Sequence, residues 1–242
     1  MTTMTDLLAA ELRRDPGRPF LTWYDEATGE RVELSVTTYA NWVAKTASLL
    51  VEEHDLERGD VLRVDLPAHW LGPVFLGAAW LAGLVVALEG EEADAVVTGP
   101  QGLARWADRA GDVPVLACSL LPMGVRFAEP LPAEVHDVGL EVWSQPDAFI
   151  AHDPPTGDSP ALVVEGGVTT QDELWSSVTA GRDPSTGGDR LLTDANPASP
   201  PGVATLVEPL VTGGSLVLVS GAGAARLESV AETERVTRRA LG

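Results

Sequence analysis

The 242-residue chain carries 36 acidic against 16 basic residues, a formal net charge of -20 at pH 7, and a single cysteine, Cys118. That charge repels phosphate backbones and anionic lipid surfaces, so neither nucleic acid nor membrane is a predicted partner. A lone cysteine excludes an internal disulfide, and no Cys/His spacing around it suits a structural zinc.

A chain of this length buries a core without such staples. Residues 1–14 open with threonines and Asp6 instead of the basic cluster and apolar run of a secretory signal, so a cytoplasmic, reducing setting is expected.

Leu7, Leu8 and Leu12 repeat at helical spacing behind a Thr/Asp start and predict a helix over residues 4–14, ended by Asp15-Pro16-Gly17. Residues 20–24 and 31–35, joined through Thr28-Gly29, predict a β-hairpin. Thr37 or Thr38 then caps a predicted helix over 39–53, in which Trp42, Val43, Ala47, Leu49 and Leu50 share the helical period. Gly59-Asp60 turns the chain into a strand at 61–66.

The most apolar stretch, residues 71–88, is broken by Gly72, Pro73, Gly77 and Gly83 and flanked by Asp65 and Glu89 in place of basic anchors. It predicts a buried helix over 70–82 and a buried parallel strand over 84–88. A strand at 94–98, a helix at 102–110 and a strand at 113–118 continue the alternation. Residues 120–141 are proline-interrupted and carry no period, and 145–159 are polar and rich in Pro and Asp.

Past that segment the pattern predicts a strand at 161–164, the Gly166-Gly167 turn, and a helix capped by Thr169 or Thr170 with Glu173 as the capping-box acid. A loop over 181–189, a strand at 190–193, a Pro-rich turn over 195–202, a helix at 203–211, a strand at 215–220 and a last helix over 224–241 follow. The fold class is α/β with two stacked βαβ-type subdomains and largely parallel sheets. The boundary falls between residues 1–145 and 146–242, unless the two form one continuous domain.

Three blocks carry a family resemblance. The first holds Tyr39, Leu49-Leu50, Gly59-Asp60-Val61, Leu66-Pro67, Leu76-Gly77-Ala78 and Ala82-Gly83-Leu84-Val85-Val86-Ala87-Leu88; the second is Asp94-Ala95-Val96-Val97-Thr98. The third runs from Asp189-Arg190-Leu191-Leu192 through Gly202 and Pro209 to Val219, with Glu232 to Thr237 behind it. In order and spacing they resemble the N-terminal region of the adenylate-forming superfamily, which includes acyl-CoA synthetases, luciferases and peptide-synthetase adenylation domains.

The resemblance implies what adenylation needs. A Ser/Thr/Gly-rich loop ending in Pro-Lys grips the ATP phosphates, because small residues admit backbone donors while the lysine offsets charge. At the matching place the strand Ala161-Leu162-Val163-Val164 runs through Glu165-Gly166-Gly167-Val168 directly into Thr169-Thr170, and Glu165 sets negative charge where polyphosphate would lie. The family's Pro-Leu-Phe-His-like turn is replaced by Asn196-Pro197-Ala198-Ser199 before Gly202.

The sequence reaches Gly242 ahead of the place where the resemblance implies the family's Tyr-Gly-x-Thr-Glu motif, its ribose-binding aspartate and its lysine-bearing C-terminal domain. The only lysine, Lys45, sits in an early helix.

Other constellations carry little. Thr156-Gly157-Asp158 lies too early to be the ribose-binding tripeptide, and Gly221-x-Gly223 has Arg226 where a dinucleotide fingerprint needs its third glycine. His54, His69, His136 and His152 are unpaired at zinc spacing and are expected at the surface or in caps. No Gly-x-Ser-x-Gly elbow occurs, Cys118 is expected as a small buried residue, and Trp42, Trp70, Trp80 and Trp175 as core anchors.

No catalytic residue, cofactor or metal ligand is predicted. The candidate pocket comprises Glu165, Gly166, Gly167, Thr169, Thr170, Asn196, Ser199 and Gly202. The expected function is that of a non-catalytic relative of acyl-CoA synthetases that binds a small molecule or a protein partner. The alternatives are an enzyme of relocated chemistry, such as an acyl-thioester or phosphoester hydrolase, and an interaction subunit, as in a homo-oligomer.

Overall fold

The structure, a computed structural model, describes residues 2–179 and 188–242, so residues 181–187 of the predicted 181–189 loop lie outside the described residues. Helix α1 (Met4–Arg14) starts at a capping box in which Thr3 accepts from the Asp6 amide and the Asp6 carboxylate accepts from Thr3. Strands β1 (Pro19–Asp25) and β2 (Glu30–Ser35) form the predicted antiparallel hairpin. The next cap is Ser35, one turn earlier than Thr37 or Thr38: its hydroxyl accepts from the Thr38 amide and opens α2 (Val36–Ser48). That helix continues as a π-helical turn over Leu49–Glu53.

Strand β3 (Val61–Asp65), helix α3 (Leu71–Ala82) and strand β4 (Val85–Ala87) complete the apolar βαβ unit, and every residue of α3 is buried. Strand β5 (Ala95–Thr98), helix α4 (Leu103–Trp106) and strand β6 (Val115–Ala117) follow. In the unassigned residues 120–141 the chain forms strand β7 (Val135–Asp137) and helix α5 (Val138–Glu141), too short to leave a period in the sequence.

Beyond the polar segment, β8 (Pro160–Val164) turns back into an unpredicted strand, β9 (Gly167–Thr170). Helix α6 (Gln171–Ser177) begins at Thr170 with the expected Glu173 capping box. Strand β10 (Arg190–Thr193), helix α7 (Val203–Thr212) and strand β11 (Ser215–Ser220) agree with the sequence within one residue.

The last helix is shorter than predicted. Helix α8 (Ala224–Thr233) stops where Arg235 takes a left-handed φ of 52°, and β12 (Arg238–Arg239) then pairs with the edge of β10. Arg190 fixes this departure by donating to the Glu234 carbonyl oxygen at 2.7 Å and pairing with its carboxylate.

Among the described residues two largely parallel sheets form, of order β12-β10-β11-β1-β2 and β7-β6-β5-β3-β4-β8-β9, with antiparallel pairing confined to the β1–β2 and β8–β9 hairpins. The five-stranded sheet joins β1 and β2 to strands from the end of the chain, and β8 and β9 extend the seven-stranded sheet built from earlier strands. Helices α1, α2, α3 and α7 pack between and around them in one main core.

Trp70, Trp80 and Trp175 are buried there, as expected, and Trp42 lies partly buried against Trp70. Cys118 is buried, and burial pushes its thiol pKa up. Among the described residues no helix is long and apolar enough to cross a membrane.

Candidate functional site

At the place where the family's phosphate loop is expected, the chain makes a tight hairpin. Val164 pairs with Gly167, so the turn consists of Glu165 and Gly166 alone, and Gly166 takes the positive φ, 86°, that a tight turn demands. Side chains added at Gly166 or Gly167 would meet nothing within 4 Å, so both stand free at the tip. Val163, Val164 and Val168 on this hairpin are exposed.

A cleft of about 530 Å³ lies beside the hairpin, lined by Leu88, Glu89, Gly90, Leu162, Val163, Val164, Glu165 and Pro200. Its walls mix the apolar side chains of Leu88, Leu162, Val163, Val164 and Pro200 with polar surface, and its charged lining groups are the carboxylates of Glu89 and Glu165. Behind it, Arg63 of β3 spends its guanidinium on the structure: Nε donates to the Gly90 carbonyl oxygen at 3.1 Å, and Asp65 lies 3.3 Å away. Burial draws the Arg63 pKa below its ordinary value, against the pull of Asp65. The lining is therefore anionic and apolar, a setting that disfavours polyphosphate.

Of the eight predicted pocket residues, Glu165 lines this cleft, and the 195–202 turn reaches it through Pro200. The others have local duties. Thr169 sits in the β8–β9 ladder opposite Leu162, and the Thr170 hydroxyl caps α6. Asn196 donates from Nδ2 to the Leu66 carbonyl oxygen at 2.8 Å and accepts from the Ala198 amide at 3.0 Å, while the Ser199 hydroxyl donates to the Asn196 carbonyl oxygen at 2.7 Å.

Gly202 is confined because a Cβ there would lie 1.8 Å from the Asn196 carbonyl oxygen. Sequence reasoning missed Leu88, Glu89 and Arg63. The available signal was a charged residue, Arg63, inside the otherwise apolar run Val61-Leu62-Arg63-Val64.

The histidines also differ from expectation. His152 is exposed, but His54 and His69 are buried. His69 does serve the expected capping role, since Nδ1 accepts from the Leu71 amide at 3.2 Å at the start of α3, while Nε2 is buried without a partner. Burial lowers the His54 pKa, partly opposed by its hydrogen bond to Glu141. His54 and His136 approach with ring centroids 4.4 Å apart, each bonded to an oxygen of Glu141 at 3.0 and 3.1 Å.

The comparisons fit this architecture. No protein-family model matches the chain. Among solved structures, the Brucella canis acyl-CoA synthetase superposes with a TM-score of 0.77 at 18% identity, over 100% of this chain and 52% of that one. The fatty acyl CoA synthetase of Mycobacterium tuberculosis gives 0.70 at 16% identity over 98% and 48%, and the coronafacic acid ligase of Pectobacterium brasiliense gives 0.75 at 13% identity over 99% and 50%. The chain thus spans about half the length of these enzymes.

The fold is that of the N-terminal region of adenylate-forming enzymes. More narrowly, a Mycobacterium tuberculosis protein named "TIGR03089 family protein" is 37% identical over 251 residues, covering 98% of this chain and 99% of that protein. The chain belongs to the TIGR03089 family.

Proposed function

We propose that this chain is a non-catalytic, acyl-CoA-synthetase-like module that holds a small molecule, or a segment of a protein partner, in the cleft between Leu88 to Gly90, β8 and Pro200. One observation carries the reading: the segment that would grip ATP is a two-residue turn of Glu165 and Gly166. A phosphate cradle needs several backbone amides converging on one point and a cation beside them. A hairpin turn closed by the Val164–Gly167 pair supplies no such loop, and its one charged side chain is an anion.

The apolar lining favours a ligand whose body is apolar, with the Glu89 and Glu165 carboxylates selecting against anionic groups. The protein-partner alternative draws support from the exposed valines at positions 163, 164 and 168 along the same hairpin.

The test is ATP/pyrophosphate exchange across a panel of short- to long-chain and aromatic carboxylic acids. No acid in the panel is expected to raise exchange above the protein-free background. Acid-dependent exchange that scales with protein concentration would end the proposal.

A further inference from the structure

We propose that His54, His136 and Glu141 form a binding site for one divalent transition-metal ion of the zinc type. The site ties the end of α2 to the β7–α5 corner. His136 and Glu141 are five positions apart, and the fold brings His54, 87 positions before Glu141, against them. His54 directly follows the π-helical turn over Leu49–Glu53, His136 is the central residue of β7, and Glu141 closes α5. π-helical insertions re-aim the side chains beyond them and recur at functional sites.

The geometry suits the ion. Zinc takes imidazole nitrogen and carboxylate oxygen at about 2.0–2.2 Å, so the ligand atoms of a tetrahedral site sit about 3.3 Å apart. His54 Nε2 lies 3.0 Å from Oε2 of Glu141, and His136 Nδ1 lies 3.1 Å from Oε1. One ligand atom from each of the three residues falls within 4.8 Å of the others. Two imidazoles and a carboxylate match zinc, cobalt or nickel better than calcium or magnesium, which call for oxygen ligands throughout.

In the metal-free form both rings donate to the one carboxylate. In the metal form the same two nitrogens turn their lone pairs to the ion, and the protons reside on the opposite ring nitrogens. An entry path exists as well. The His136 side chain is 40% exposed, and together with Glu141 it lines a 500 Å³ cleft through which an ion reaches these two residues from solvent.

The net charge of -20 draws cations to the whole surface, so the test must separate this site from scattered carboxylates. Chelator-stripped full chain is titrated with Co²⁺ in the presence of excess Mg²⁺. One equivalent of a visible ligand-field band is expected, bleached by stoichiometric Zn²⁺. His136→Gln and Glu141→Gln change half-exposed side chains and are expected to fold, with far-UV dichroism unchanged. Each should weaken Co²⁺ binding at least about 10-fold, the loss seen when even an outer-shell partner of a metal site is removed.

In the wild type, Zn²⁺ should shift the ring resonances of His54 and His136 and leave those of His69 and His152 in place. Absence of a saturable cobalt band, wild-type affinity in both variants, or a zinc response confined to His152 would each overturn the assignment.

Discussion

Replacing Trp80 by alanine is expected to destabilise the fold by about 3–5 kcal/mol, the loss typical of an excised buried aromatic ring. Trp80 is fully buried in α3, and its indole Nε1 donates to the Ala161 carbonyl oxygen of β8 at 3.0 Å. Its ring meets Trp175 of α6 edge-on at 5.3 Å between centroids. The Trp80 carbonyl oxygen accepts from Gln171 Nε2 at 2.8 Å, and Gln171 Oε1 accepts in turn from the Met4 amide.

The Trp80 side chain thus joins α3 to the seven-stranded sheet and to α6, while the Gln171 side chain ties the backbone of α3 to the start of α1. The substitution opens a cavity and removes the indole donor to the Ala161 carbonyl oxygen. Urea unfolding followed by dichroism reads the result, which should appear as a lowered midpoint with an unchanged slope. Trp80→Phe keeps most of the burial and is expected to lose about 1–3 kcal/mol, mainly through the lost indole hydrogen bond to Ala161.

Acidification from pH 7 to pH 4 is expected to cost about 3 kcal/mol through His69 alone. Burial lowers the His69 pKa to about 4 from an ordinary 6.5, with the Asp25 charge opposing the shift. The folded pKa lies below the unfolded one, so between these values the unfolded chain holds more protons and stability rises with pH. The contribution is complete above about pH 6.5, is lost as pH falls towards 4, and changes no further once both states are protonated.

His69→Asn isolates it, because asparagine offers an oxygen to the Leu71 amide in place of Nδ1 yet cannot be protonated. The stability difference between the two proteins should move by about 3 kcal/mol between pH 7 and pH 4. A constant difference across that range would show that His69 does not titrate in its buried position.

Much of the fold was legible because its signals are local. The Thr170/Glu173 capping box, the Gly83 stop and the unbroken apolar run after it each rest on residues within one or two turns of each other. What escaped depends on distant partners. Strand β9 is four residues long and exists because β8 lies beside it, and β7 pairs with the edge of β6 in a stretch whose own pattern is blurred by prolines. The last helix was read too long because it ends at Arg235, with neither glycine nor proline to mark the stop.

The candidate site divides the same way. The sequence shows that a short Glu165-Gly166-Gly167 segment replaces the phosphate loop, since that is a matter of consecutive residues, but it places the turn at Gly166-Gly167, one residue later than the Glu165–Gly166 turn set by the pairing of Val164 with Gly167. The pairing of Glu165 with Glu89 and Pro200 around one cleft, and of His54 with His136 and Glu141, follows from strand order. Asn196 and Ser199 looked like lining groups, but their polar atoms are spent in hydrogen bonds within their own turn and to Leu66.

Calorimetric titration of the protein with ATP and Mg²⁺ addresses the central claim without requiring chemistry to occur. The Glu165–Gly166 turn predicts no saturable heat at nucleotide concentrations up to about 1 mM, a level that already detects interactions of only about 4 kcal/mol. Stoichiometric binding in the micromolar range, with the triphosphate seated at that turn, would contradict it.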